Sequence, residues 1–249
     1  MAVRARALTV LVTVGSLALG AACGGAGSGG GDPAEPASRP TDPAPVSAPV
    51  EREATVARAL GPTVAVFAEP DTTEQTRDFP GTSAFGFRQS FLVVDETAES
   101  LEVLLPARPN GSTGWVRRAD VELQQVDHEI DVDLASRTLR LRNGDEVVVE
   151  TPVAIGAPDA PTPTGRFFVT DLLETGDPDH DYGPFAAGLS GFSTKYSEFA
   201  GGDGQIGIHG TNDPASIGQA VSHGCVRVPN DVITLLATTV PIGTPVTIA

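Results

Sequence analysis

Two short stretches near the C-terminus carry most of the chemistry open to this chain. Ile208-His209-Gly210-Thr211-Asn212 is followed a little later by Ser222-His223-Gly224-Cys225-Val226-Arg227. Together they hold two of the four histidines and one of the two cysteines. A thiol becomes a strong nucleophile when a neighbouring base or cation helps it lose its proton, so a cysteine among histidines points to covalent catalysis through sulfur. Gly210 and Gly224 leave room for a substrate backbone. A rival chemistry uses the same residues: His209, His223 and Cys225, with Asp213 nearby, meet the three-ligand count of a catalytic zinc.

The second cysteine has a different explanation. Arg4 and Arg6 precede an apolar run, Leu8 to Ala22, that turns small-residue-rich at its end and is short for a membrane span, so residues 1–23 read as an export signal. The run stops at Ala21-Ala22-Cys23 and resembles the lipobox of bacterial lipoproteins, whose cysteine carries the lipid and begins the mature chain. Gly20 stands where that box usually has leucine, and Leu19 sits one place earlier. Lipidation at Cys23 would tie the protein to the outer face of the cytoplasmic membrane; ordinary cleavage nearby would release it. With Cys23 lipidated, Cys225 has no disulfide partner, and an unpaired thiol in an exported protein points to a reactive use or an intermolecular bridge.

Residues 24–51 are rich in Gly and Ser, then in Pro and Ala. Such a segment buries too little to offset its chain entropy and reads as a disordered tether. The net charge of −16 argues against nucleic acid as a partner of the folded part. The rest of the chain is punctuated by glycine and proline, with short Val/Thr/Ile-rich runs and little helical periodicity, which predicts a mainly β protein. Between 52 and 124, Val64–Phe67, Gln89–Val94, Leu101–Leu105 and Gly114–Arg117 read as strands. The layout resembles a small bacterial SH3-like β-barrel in which a late Gly-Trp-Val strand, here Gly114-Trp115-Val116, packs the core. No ionisable cluster stands out there; a spacer or positioning module and a wall-binding module are both open.

Residues 125–249 begin with a hairpin meander, Ile130–Leu134, Thr138–Leu141 and Glu146–Val149, turning at Ala135-Ser136-Arg137 and Asn143-Gly144-Asp145. Thr162-Pro163-Thr164-Gly165 introduces another strand. Gly204 to Ile208 predicts a strand that delivers His209 at its end. Asn230 to Thr238 predicts a helix, with Val232, Leu235 and Leu236 on one face and Asp231 in the first turn. Leu173 to Gly204, with Tyr182, Phe185, Phe192, Tyr196 and Phe199, reads as a long irregular loop, a feature usually functional or mobile. His180, between Asp179 and Asp181, reads as part of a solvated acidic loop.

The C-terminal half resembles the YkuD family of L,D-transpeptidases. The family signature is a histidine, a variable stretch, then Ser/Thr-His-Gly-Cys, an apolar residue and Asn or Arg; His209 and Ser222-His223-Gly224-Cys225-Val226-Arg227 satisfy it, with a short gap. The Thr162–Gly165 turn and Tyr182-Gly183-Pro184-Phe185 also look like family features. The resemblance implies a YkuD-like β-sandwich catalytic domain at 125–249 behind the SH3-like domain. Cys225 would be the nucleophile and His209 its base, oriented by the Gly210 carbonyl, with His223 shaping the site; an exchange of roles between the histidines stays open. Amides around Gly224 and Cys225 would hold the oxyanion, and Ser222 would brace the turn. Arg227 would bind a substrate carboxylate or make an internal salt bridge, and Tyr182 would contact substrate or pack the core. The loop before Gly204 would act as a lid. The implied partners are peptidoglycan stem peptides, as donor and acceptor, and carbapenem inhibitors, with no cofactor and no metal. Formation of 3→3 cross-links is the expected activity. A carboxypeptidase using water and a non-catalytic wall-binding lipoprotein are the alternatives.

Overall fold

Apolar residues alternating with polar ones bury a face only by pairing strand against strand. In the computed structural model, which describes residues 53–199 and 201–249, the regular structure is accordingly mainly β. The expected export signal, Cys23 and the tether lie outside the described residues. No helix among those described is long and apolar enough to cross a membrane.

The first sheet has seven strands: β1 (Ala54–Ala59), β2 (Thr63–Phe67), β3 (Gln75–Pro80), β4 (Ser90–Glu96), β5 (Ser100–Leu104), β6 (Thr113–Arg117) and β7 (Val121–Val126), in the order β3-β2-β6-β5-β4-β1-β7. Its interior is built by Val64, Val66, Phe91, Leu101, Val103 and Val116. Trp115 does not join them. Along β6, Gly114 and Val116 face inward and Trp115 lies half-buried on the other face, as the two-residue period of a strand requires.

The second part contains β8 (His128–Asp133), β9 (Thr138–Asn143), β10 (Glu146–Pro152), β11 (Ile155–Gly156), β12 (Gly165–Glu174), β13 (Phe185–Phe192), β14 (Gln205–His209), β15 (Ala220–Ser222), β16 (Val226–Arg227), α1 (Asn230–Thr239) and β17 (Pro245–Ile248). Eight of these strands form one sheet, β10-β9-β8-β17-β12-β13-β14-β16, and β11 pairs in parallel with β15 beside it. The meander turns at Gly144, whose φ of 55° suits glycine. α1 packs on β13 and β14 through Val232, Ile233 and Leu236, while Leu235 is only partly buried, so its apolar face is turned slightly from the expected one.

The two parts touch closely. Ala54, Leu92 and Leu104 of the first sheet form one buried cluster with Phe168 of β12, and all the described residues belong to one compact unit.

The stretch Leu173–Gly204 is not irregular throughout, because it contains β13, a strand between β12 and β14 in the sheet. The segment Ala186-Ala187-Gly188-Leu189-Ser190-Gly191 is poor in β-branched side chains, and its small residues serve packing instead. A Cβ on Gly191 would lie 2.5 Å from Cε1 and 2.6 Å from Cδ1 of the buried Phe167 ring. Gly191→Ala is therefore expected to destabilise the fold by about 1–3 kcal/mol, the usual cost of overpacking a core, read as a lower urea midpoint with an unchanged slope.

Candidate active site

β14 and β16 run parallel, with Ile208 beside Val226 and His209 beside Arg227. This register sets the strand-end histidine next to the turn that precedes β16, and Cys225 is the last residue of that turn. The turn is held internally. Ser222, 3 % exposed, donates its hydroxyl to the Cys225 carbonyl at 2.6 Å and accepts the Gly224 N–H at 3.2 Å. Gly224 has a φ of +121°, outside the range comfortable for other residues. His223 and Cys225 face the same cavity because of this bent turn, not through strand alternation.

The cavity, of about 490 Å³, is lined by Tyr182, Phe199, His209, His223, Cys225 and Arg227, among others. His209 is 5 % exposed, and its Nδ1 lies 2.6 Å from the Gly210 carbonyl oxygen. A carbonyl can only accept, so Nδ1 carries the proton and Nε2 keeps its lone pair. Burial drives the imidazole pKa down to about 4, only partly opposed by the Gly210 hydrogen bond. His209 is thus a neutral base at pH 7. Burial also pushes the Cys225 thiol above its usual value, while the Gly207 backbone and the Arg227 charge pull it back. Thiol and neutral imidazole are the resting pair.

Tyr182 meets His209 edge to face, with ring centroids 4.5 Å apart at 81°. Its phenol is raised, first by burial and then by the negative charge that Cys225 would carry as thiolate. His223 is exposed and packs against Phe199 at 5.0 Å and Tyr196 at 6.0 Å. Arg227 exchanges backbone hydrogen bonds with Ala154, and its buried Nε has no partner among the described residues. His180 is exposed but borders the cavity, and its Nδ1 accepts the Tyr182 N–H at 3.1 Å. Among the described residues no group of three His, Cys, Asp or Glu side chains is arranged to hold a metal ion.

One supporting residue has no obvious signal in the sequence. Asn230, the first residue of α1, accepts the Thr211 N–H at 2.8 Å and donates to the Pro178 carbonyl at 3.2 Å. It ties the loop carrying Tyr182 to the segment that orients His209. Gly183 lets these backbones meet: a Cβ there would lie 2.8 Å from the Gly210 Cα. Only the polar residue after Pro229, at a helix start, hints at this role.

Comparison with known proteins points to a family. Residues 127–248 match the YkuD family model, described as an L,D-transpeptidase catalytic domain. YkuD of Bacillus subtilis is 34 % identical over 155 residues, covering 60 % of this chain and 86 % of that protein. YkuD of Bacillus licheniformis is 39 % identical over 168 residues, covering 61 % and 93 %. Among solved structures, an Enterococcus faecium L,D-transpeptidase is 25 % identical over 49 % of this chain and 50 % of its own, with a TM-score of 0.39. With more than four-fifths of each Bacillus relative covered at over 30 % identity, the chain belongs to the YkuD family of L,D-transpeptidases.

Proposed function

We propose that this protein is a peptidoglycan L,D-transpeptidase that works through a Cys225 thioester and makes 3→3 cross-links. The observation that carries the reading is His209: buried, neutral and fixed in one tautomer by the Gly210 carbonyl, it shares a cavity with the Cys225 thiol.

His209 Nε2 takes the thiol proton as sulfur attacks the carbonyl at the L-centre of the third residue of a tetrapeptide stem. The Gly224 amide is engaged by Ser222, so the Cys225 N–H is the oxyanion donor in this scheme. Collapse of the tetrahedral intermediate expels D-Ala, whose amine receives the proton from His209, and leaves the thioester. An amine of a neighbouring stem then attacks the thioester, His209 accepts its proton, and the departing sulfur takes that proton back. The unpartnered Arg227 Nε supports a role in binding the donor carboxylate, since a buried guanidinium N–H without an acceptor is costly. Tyr182 walls the donor site against His209, and His223 lines its open side.

The same reading places the enzyme in the cell envelope after export, anchored through a lipid on Cys23, with residues 24–51 as spacer, 52–124 as an SH3-like module and 125–249 as the catalytic domain. Carbapenems, whose strained ring is opened by a thiol, are the expected inhibitors.

The test is incubation of the full mature chain with purified disaccharide-tetrapeptide, followed by mass spectrometry of products and of the peptide containing Cys225. D-Ala loss with a dimeric product and an acylated Cys225 is expected. D-Ala loss to water alone would make the protein a carboxypeptidase. Absence of both D-Ala loss and carbapenem acylation would leave the wall-binding reading.

A further inference from the structure

We infer that Arg108, in the β5–β6 turn of the first sheet, is a positioning residue for one wall of the Cys225 cavity, so that the first sheet helps set the enzyme's affinity for its donor. The cavity wall in question is the connection from β13 to β14. This loop is mostly exposed. Its own hydrogen bonds run from the Ser193 N–H to the Gly204 carbonyl at 2.8 Å at the base, from the Lys195 and Tyr196 N–H groups to Ser193 Oγ, and both ways between Phe199 and Gly202 at the tip. They shape the loop without tying its tip to another element. Farther out, Tyr196 and Phe199 lean over His223, and Phe199 lines the cavity. Phe199 is exposed and Tyr196 only partly buried; such contacts hold a loop weakly, and a binding wall left to fluctuate must be ordered at the cost of affinity.

Arg108 supplies what the loop lacks. Its Nη1 donates to the Ser193 carbonyl at 2.7 Å, and its Nη2 donates to the carbonyls of Tyr196 at 2.9 Å and Asp203 at 3.0 Å. Its Cζ lies 4.9 Å from the centre of the Phe192 ring, which ends β13. Among the described residues, no other side chain from outside the loop hydrogen-bonds the middle of it. Asn110, from the same turn, pins the base by accepting the Phe192 N–H at 2.9 Å and donating to its carbonyl at 2.8 Å. Gly204 makes room: a Cβ there would come within 2.9 Å of Arg108 Nη2. A planar guanidinium can reach three carbonyls and stack on a ring at once, whereas an ammonium cannot.

The consequence for catalysis rests on the transpeptidase reading; the brace itself does not. The test uses the full mature chain and its Arg108→Ala and Arg108→Lys variants, with two readouts. One is steady-state turnover of disaccharide-tetrapeptide beside alkylation of Cys225 by iodoacetamide. The other is the NMR shift of the His223 ring protons, which feel the ring currents of Phe199 and Tyr196. For Arg108→Ala, KM should rise about tenfold, the order expected when hydrogen bonds that preorganise a binding wall are lost. kcat and the alkylation rate should stay within about twofold, and the His223 signals should move toward free-imidazole positions. Arg108→Lys should recover less than half of the KM effect. Unmoved His223 signals, or alkylation falling in step with turnover, would overturn the brace. If the wild-type chain turns over no stem peptide, a His223 shift in Arg108→Ala still supports the brace, and only the functional reading fails.

Discussion

Cys225→Ala is expected to leave a folded protein with no acyl transfer. The change removes one sulfur from a partly exposed residue, and the bond that shapes the turn, Ser222 Oγ to the Cys225 carbonyl, involves backbone and survives. Stability should therefore change by about 1 kcal/mol or less, within the range of mild point substitutions. Activity should change far more. On the proposed mechanism no thioester could form without the sulfur, and the remaining donors and cavity walls would bind the stem without carrying its acyl group. Loss of a nucleophile that works as a unit with its base costs on the order of 10⁶ in kcat, so cross-linked product should fall to background. Mass spectrometry of the Cys225 peptide should show no adduct from either the donor stem or a carbapenem. Sedimentation with purified cell walls separates the rival readings. A variant that still binds walls and makes no product is a dead transferase, whereas a variant with undiminished product formation would remove Cys225 from the mechanism.

Why this site can be read from sequence is a matter of residue rarity. The chain has four histidines and two cysteines, so two histidines and a cysteine gathered in a short glycine-containing stretch stand out. The strand that delivers His209 is equally visible, because Ile206 and Ile208 alternate with Gln205, Gly207 and His209 ahead of a glycine. The parts that escape detection act across long separations and through main-chain atoms. Asn230 meets Thr211 nineteen positions away, and Arg108 reaches Ser193, Tyr196 and Asp203 at separations of 85 to 95. A carbonyl acceptor leaves no trace in the residue type that bears it.

Strand content follows the same logic. β8 and β9 show themselves through alternation, and β10 through its run of valines after a glycine turn. β13 hides, since its alanines and glycines are chosen to let Phe167 and the neighbouring strands come close. β3 hides for the opposite reason: nearly every residue in it is exposed, so no apolar face marks it. Trp115 shows the limit of residue type as a guide to burial, because its place in β6 is dictated by the inward-facing Gly114 and Val116.

Replacing His209 by glutamine should slow acylation of Cys225 by about 10²–10⁴-fold, the usual contribution of a positioned general base, and the pH dependence should show why. In the wild type the imidazole titrates near 4 because it is buried. The base therefore stays available from neutral pH down to about pH 5 and is lost only as pH falls through 4. Burial holds the thiol above its ordinary value, so no acid limb should arise from thiolate protonation in this range. Acylation measured with a carbapenem should accordingly be flat between about pH 5 and 7 and fall below that. The same burial has a stability signature. The unfolded chain protonates this histidine near 6.5 and the folded one near 4. Its contribution to stability is complete above about 6.5 and is lost progressively as pH falls toward 4, by about 3 kcal/mol in all. His209→Gln should abolish that component of acid destabilisation while leaving the carboxylate-driven part. A wild-type activity profile that falls with a midpoint near 6.5 would mean the imidazole is solvated when it works, and the tautomer fixed by Gly210 would no longer account for its choice as the base.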